Sequence, residues 1–225
     1  MKSTKFAQTL AVSLALSWAT AAGAAPSSSF TVPEKEPADI SMDSGLEFSY
    51  STKCQKEFAD SVGRAKNYCQ EYQAKHKDQH LCVVSDLDET LLDNREHFKT
   101  DRTKTWSLFE AWINEAQAPL LKPTAEFLSW ARDKGFAVFF ISGRPEKDRS
   151  GTIRNLVRDK ISYDGLYLRP DGSKGPAEDF KARARKEIEE MGFTVVESIG
   201  DQFSDLAGGH AMDCEKLPNR MYFIQ

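Results

Sequence analysis

The chain has 225 residues, 40% of them hydrophobic and 28% charged, with 30 Lys+Arg against 34 Asp+Glu and a net charge of −4. That composition excludes a disordered, collagen-like or disulfide-dense chain and is enough for one well-filled core or two small ones. The one long apolar stretch lies at the N-terminus, which excludes a polytopic membrane protein, and the acidic balance argues against a nucleic-acid partner.

Residues 1–24 read as a signal peptide. Lys2 and Lys5 form a basic start, an Ala/Leu/Val-rich run extends from Phe6 to Ala22, and Ala22-Gly23-Ala24 supplies the small residues before a cleavage point. Threonines, serines and a Gln thin the apolar run, so a stable membrane anchor is not expected, and no Cys follows for lipid attachment. The expected product is exported, periplasmic or secreted. Residues 25–45, rich in Ser, Pro and Glu, read as a flexible leader, and residues 46–225 as a single domain.

From Thr52 to Lys77 the positions Cys54, Phe58, Val62, Ala65, Cys69 and Tyr72 recur at steps of three and four, which predicts an amphipathic helix. The chain has four cysteines, the other two being Cys82 and Cys214. Fifteen residues of helix span about 22 Å, so Cys54 and Cys69 cannot pair with each other. Other pairings and free buried thiols both remain open. A zinc site is disfavoured because no Cys-x-x-Cys occurs.

Leu81–Ser85 is too short for a helix and suits a central strand. Phe136–Ile141 repeats that pattern, followed more weakly by Leu166–Leu168, Thr194–Ile199 and Met221–Ile224. Helices are expected between them at Pro123–Lys134, Pro145–Lys160 and Pro176–Met191, the first and last stopped by Gly135 and Gly192. Strands alternating with helices predict an α/β fold: a Rossmann-like parallel sheet flanked by helices, with a small helical prefix and insert as cap.

Ligands of such sheets bind beyond the carboxyl ends of the strands. There the sequence places Asp86-Leu87-Asp88-Glu89-Thr90 after the first strand, Ser142-Gly143-Arg144 after the second and Gly200-Asp201-Gln202-Phe203-Ser204-Asp205 after the fourth. Each fragment alone is weak, since Asp also caps helices. Together they converge on one pocket whose crowded acids need a cation. Oxygen ligands from Asp86 and Asp201 suit Mg²⁺ and a phosphate substrate. Asp86 can attack phosphorus, and Asp88, two residues on, can move the proton. The transferred group needs positive charge, for which Lys181 is the candidate and Lys174 and Lys186 are rivals.

Residues Asp86 through Asn94 resemble the first motif of the haloacid dehalogenase superfamily, Ser142-Gly143-Arg144 its second, Lys181 its third and Gly200–Asp205 its fourth. Phe180 to Arg185, Gly200 to Gly209 and Leu217 to Ile224 are similar to the branch of plant acid phosphatases, vegetative storage proteins and bacterial class C acid phosphatases. The likeness runs from about Phe48 to the C-terminus. Phe203 and Arg220 depart from it, standing where plant relatives commonly have Trp and Pro.

The resemblance implies roles. Asp86 would be the nucleophile and a Mg²⁺ ligand, and Asp88 the general acid/base that also gives its backbone carbonyl to the metal. Asp201 would be the third protein ligand, with Asp205 in support. Ser142 and Lys181 would hold the phosphate, and Gly143 and Arg144 would join them in binding the substrate. The implied activity is hydrolysis of small phosphomonoesters by a Mg²⁺-dependent acid phosphatase. A phosphotransferase or a non-catalytic storage or binding protein is the alternative; Asp86, which storage members can lack, is present. Trp106, Phe109 and Trp112 either fill the core or border the mouth, where they would stack a nucleotide base or aryl group.

Overall fold

The computed structural model describes residues 31–103 and 105–224; the expected signal peptide and the start of the leader lie outside them. The elements run α1 (Met42–Ser49), α2 (Thr52–Lys75), β1 (His80–Ser85), α3 (Arg95–Thr100), α4 (Trp106–Glu115), α5 (Lys122–Asp133), β2 (Ala137–Pro145), α6 (Arg149–Arg158), β3 (Gly165–Arg169), α7 (Ala177–Glu190), β4 (Phe193–Gly200) and β5 (Asp213–Lys216). Single 3₁₀ turns precede α6 at Glu146–Asp148 and follow β4 at Phe203–Asp205.

Among the described residues the five strands are all parallel, in the order β3-β2-β1-β4-β5. Parallel strands need helical crossovers, and these cover both faces of the sheet. On one face the stripe Phe58, Val62, Ala65 and Cys69 of α2 joins Phe127 and Leu128 of α5 against Val83, Val138 and Phe140. On the other, Ala184 and Ile188 of α7 cover Cys82, Val84, Ile141 and Val195. The winding reverses between β1 and β4, so a crevice opens at their carboxyl ends.

The domain begins earlier than residue 46. α1 starts at Met42, the Ser41 N–H donates to the Arg220 carbonyl at 2.9 Å, and Gly45 and Leu46 are buried against the C-terminal segment. The two helices of the prefix differ in place: α1 packs through Leu46 on Phe98 of the insert. α2 runs along the sheet as a layer helix because its apolar stripe belongs to the main core, and only the insert carrying α3 and α4 borders the crevice.

Two strand expectations change. Met221–Ile224 is not a strand, because side chains take its backbone. The Met221 N–H donates to Asn219 Oδ1 at 2.8 Å and the Ile224 N–H to Gln202 Oε1 at 2.9 Å. The fifth strand is Asp213–Lys216, a polar edge strand with Cys214 alone fully buried, which left no apolar run to read. The four cysteines are all buried, and the Cys214 thiol donates to the Leu206 carbonyl at 3.6 Å. Burial pushes the thiols of Cys54, Cys69 and Cys82 upward, toward the unreactive thiol form.

Glu197 of β4 is a buried acid away from the crevice. Neither of its oxygens has a well-formed hydrogen bond among the described residues. Burial, then Asp213 and Glu215, raises its carboxyl well above the usual range, only partly offset by the Glu215 and Ser198 N–H groups. The folded state therefore holds this proton to higher pH than the unfolded chain, where Glu titrates near about 4.3. Its contribution to stability is intact below that pH and declines as pH rises toward the folded pKa, by up to about 1.4 kcal/mol per pH unit. Thermal unfolding of Glu197→Gln between pH 4 and 7 should show a gain over wild type that grows with pH. Parallel curves for the two proteins would mean that the Glu197 carboxyl titrates alike in the folded and unfolded chains.

Candidate active site

The strand ends assemble one cleft of about 320 Å³, lined by residues that include Asp86, Asp88, Ser142, Gly143, Lys181 and Asp201. Asp86 follows the last residue of β1, and its N–H donates to the Ile199 carbonyl of β4 at 3.0 Å, fixing it beside the chain reversal. Lys181, in the second turn of α7, places its ammonium 2.8 Å from Asp86 Oδ1 and also bonds Asp205 Oδ1. The lysine is 96% buried between these carboxylates. Burial works against its charge, but Asp205 and Asp86 outweigh that and raise its pKa. The rivals are elsewhere: Lys186 pairs with Glu190 on the surface, and Lys174 is exposed.

Asp86, Asp201 and Asp205 each offer an oxygen within 4.8 Å of the others, all buried. Burial raises the Asp86 carboxyl well above its ordinary range; Lys181 opposes this, while Asp205, Asp201 and Asp88 reinforce it. Asp201 is pushed up to about 6 by burial and by Asp205, against the pull of Lys216. Lys181 in contact and Lys216 farther off do not balance three acids, and an all-oxygen donor set with surplus negative charge fits a hard divalent cation.

The three acids are not equivalent. Asp205 is spent on Lys181 and on the Gln202 N–H at 2.7 Å. Asp86 Oδ2 has no hydrogen-bond partner among the described residues. Asp201 is oriented by Gln202 Nε2 and Asn219 Nδ2, each donating to Oδ2 at 2.6 Å. A Cβ on Gly200 would overlap the Asp205 carboxylate, so glycine is what lets Asp205 fold back toward Lys181.

Asp88 and Arg144 form an ion pair at the cleft. Arg144, only 2% exposed, forks onto Asp88 with Nε–Oδ2 at 2.9 Å and Nη2–Oδ1 at 2.6 Å, and its Nη1 donates to Thr152 at 3.1 Å. Asn94 Nδ2 adds a bond to Asp88 Oδ1 at 2.8 Å. Arg144 is therefore positioned to aim Asp88, a partner that its place beside Ser142 and Gly143 in the sequence does not disclose. The register of β2 on β3 skips Gly143 and Arg144, pairing Ser142 with Leu168 and Pro145 with Arg169. This bulge leaves Gly143 and Arg144 outside that ladder at the cleft.

Residues with no role assigned from sequence hold this frame. Glu89 adopts φ 53°, a strained conformation for a residue with a side chain. Its carboxylate accepts from the Asn94 N–H at 3.1 Å and from the Tyr222 hydroxyl, tying the first turn to the C-terminal segment. Positive φ cannot be read from an Asp-Glu-Thr string, and Tyr222 comes from a distant segment. Among the aromatic residues, Trp106 and Phe109 line the cleft with Phe98. Trp112 does not; it packs on the core and donates Nε1–H to Asn94 Oδ1 at 2.8 Å. Gly151 lets α4 come this close, since a Cβ there would lie 2.7 Å from the Ile113 carbonyl oxygen.

The family model described as HAD superfamily, subfamily IIIB (acid phosphatase) matches residues 2–225. Acid phosphatase 1 of Solanum lycopersicum is 34% identical over 148 residues, 63% of this chain and 58% of that protein. The stem 28 kDa glycoprotein of Glycine max is 32% identical over 151 residues, 63% and 59% of the two chains. The chain thus spans about three-fifths of the length of these relatives. The class C acid phosphatase of Bacillus anthracis shares the fold, with a TM-score of 0.67 at 23% identity over 80% of this chain and 83% of that one.

Proposed function

This chain belongs to the acid phosphatases of the haloacid dehalogenase superfamily, subfamily IIIB, and from that premise we propose that it hydrolyses phosphomonoesters through a covalent phosphate on Asp86. The observation that carries the reading is Lys181 Nζ at 2.8 Å from Asp86 Oδ1, with Asp86 Oδ2 left unpartnered in a cleft it shares with Asp88.

In the first half-reaction an Asp86 oxygen attacks phosphorus, the ester P–O bond breaks, and the departing oxygen takes a proton from Asp88. Lys181 meets the charge on the transferring phosphoryl oxygens, and Ser142 with the Gly143 bulge offers them further hydrogen bonds. In the second half, Asp88 takes a proton from water as that water attacks phosphorus. The Asp86–phosphorus bond breaks, inorganic phosphate leaves and Asp86 is restored. Arg144 and Asn94 keep the Asp88 carboxylate aimed throughout. Asp86 and Asp201, with the Asp88 backbone carbonyl, would hold a divalent cation, taken as Mg²⁺ from the hard oxygen donor set. When bound, it supplies charge that screens nucleophile and phosphate from each other.

The aromatic side of the cleft, Phe98, Trp106 and Phe109, favours aryl or nucleoside leaving groups. Export by the expected signal peptide would put the reaction outside the cytoplasm. No helix among the described residues is long and apolar enough to cross a membrane. The test is p-nitrophenyl phosphate turnover by the purified chain. Excess chelator should abolish phosphate release and added Mg²⁺ should restore it. Full turnover in chelator, with no metal by elemental analysis, would contradict the site.

A further inference from the structure

Among the described residues, three cations line the cleft: Arg144, Lys181 and Arg169. Two are consumed by acids of the site, Arg144 by Asp88 and Lys181 by Asp86 and Asp205. Arg169, the last residue of β3, has no carboxylate partner among the described residues. Its Nη2 donates to the Gly175 carbonyl, and its buried Nε has no hydrogen-bond partner among the described residues. Of five N–H donors in a planar fork, one bond is made, and a buried unpaired donor is costly unless a ligand takes it.

The position of Arg169 sets what that ligand would be. It is paired in register with Pro145, on the outer side of β2 from Asp86 and just past the Gly143–Arg144 bulge. The loop that follows it is tied to the aromatic helix. Asp171 Oδ1 accepts from the Lys147 N–H at 3.0 Å, and Lys147 Nζ bonds Glu110 of α4 at 2.7 Å. Arg169 thus lines the same cleft as Trp106 and Phe109, at the end of a strand whose following loop is tied to α4.

We propose that Arg169 is a specificity-determining residue that binds a second anionic group, carboxylate or phosphate, on an aromatic phosphomonoester. The inference rests on the phosphatase reading for which end of the substrate is the leaving group. It adds that the preferred ester carries two separated anions. Arginine suits the task because its fork takes either anion with two parallel hydrogen bonds.

Binding tests this without turnover. Titration calorimetry of the full chain with Mg²⁺ compares benzylphosphonate with its 3- and 4-carboxy derivatives, none of which can be hydrolysed. Wild type should bind at least one carboxy derivative about tenfold or more tightly than the parent. Arg169→Gln should bring that ratio to within about twofold, and Arg169→Lys should keep part of it. Thermal unfolding confirms that each variant is folded. No preference in wild type, or the full preference in folded Arg169→Gln, overturns the proposal. Should Arg169→Gln not fold, the wild-type ratio and the Arg169→Lys ratio decide, an unchanged ratio in the lysine variant counting against the fork. Phenyl phosphate turnover is measured in parallel. A preference that depends on Arg169 in a chain that releases no phosphate would sink the phosphatase reading and leave the anion site standing.

Discussion

Asp86→Asn should lower turnover of p-nitrophenyl phosphate by at least about a thousandfold, a loss of roughly 4 kcal/mol in barrier stabilisation. The amide keeps the shape of the side chain but removes the charge of the attacking oxygen and weakens the acid cluster that would hold the cation. The fold should survive, because burial already penalises the Asp86 charge and Lys181 keeps Asp205 as a partner. Asp88→Asn separates the two carboxylates. With a good leaving group it should still be phosphorylated, but slowly dephosphorylated, since no base activates water. Mass spectrometry after a brief pulse should then find phosphate on Asp86. Wild-type turnover by folded Asp86→Asn, or phosphate on a His or Ser, would mean a different mechanism on the same fold.

Lys181→Met should destabilise the protein by about 3–5 kcal/mol and cut turnover by a hundredfold or more, on the order expected for losing one charge-stabilising donor. The ammonium is 96% buried and contacts two acids, so its removal strands Asp86 and Asp205 beside Asp201 without a protein cation between them. Two recoveries identify the cause. Mg²⁺ should restore more stability to Lys181→Met than to wild type, as it neutralises the same acids. The double variant Asp86→Asn/Lys181→Met should be less destabilised than the sum of its parts, because one stranded charge has gone. Urea midpoints of the four proteins give the coupling directly, and strict additivity would show that Lys181 and Asp86 do not interact.

The layer architecture was legible because burial imposes a period on sequence. The α2 stripe Cys54, Phe58, Val62, Ala65 and Cys69 is buried as its spacing requires, and the continuous runs of β1 and β2 lie in the sheet centre. The strand-end acids were legible for the same reason: once β1 and β4 are read, Asp86 and Asp201 fall at their carboxyl ends, and the chain reversal between those strands brings them together. Where local sequence carries no burial period the reading failed. Asp213–Lys216 is a polar edge strand, and Met221–Ile224 is apolar without being a strand.

What the tertiary structure alone decided is which partner each charge meets. Ser142-Gly143-Arg144 reads as one phosphate loop, yet the bulge in β2 turns Arg144 onto Asp88, 56 residues away in the chain. Trp106, Phe109 and Trp112 share one helix, but the close approach of α4 to α6 leaves the first two at the cleft and packs the third on the core. Arg169 was indistinguishable from a surface arginine until its strand end was placed beside that cleft. Periodicity follows from a repeat within one element, so a sequence displays it. Charge pairing and cleft exposure depend on distances between elements far apart in the chain, and the packed fold fixes those.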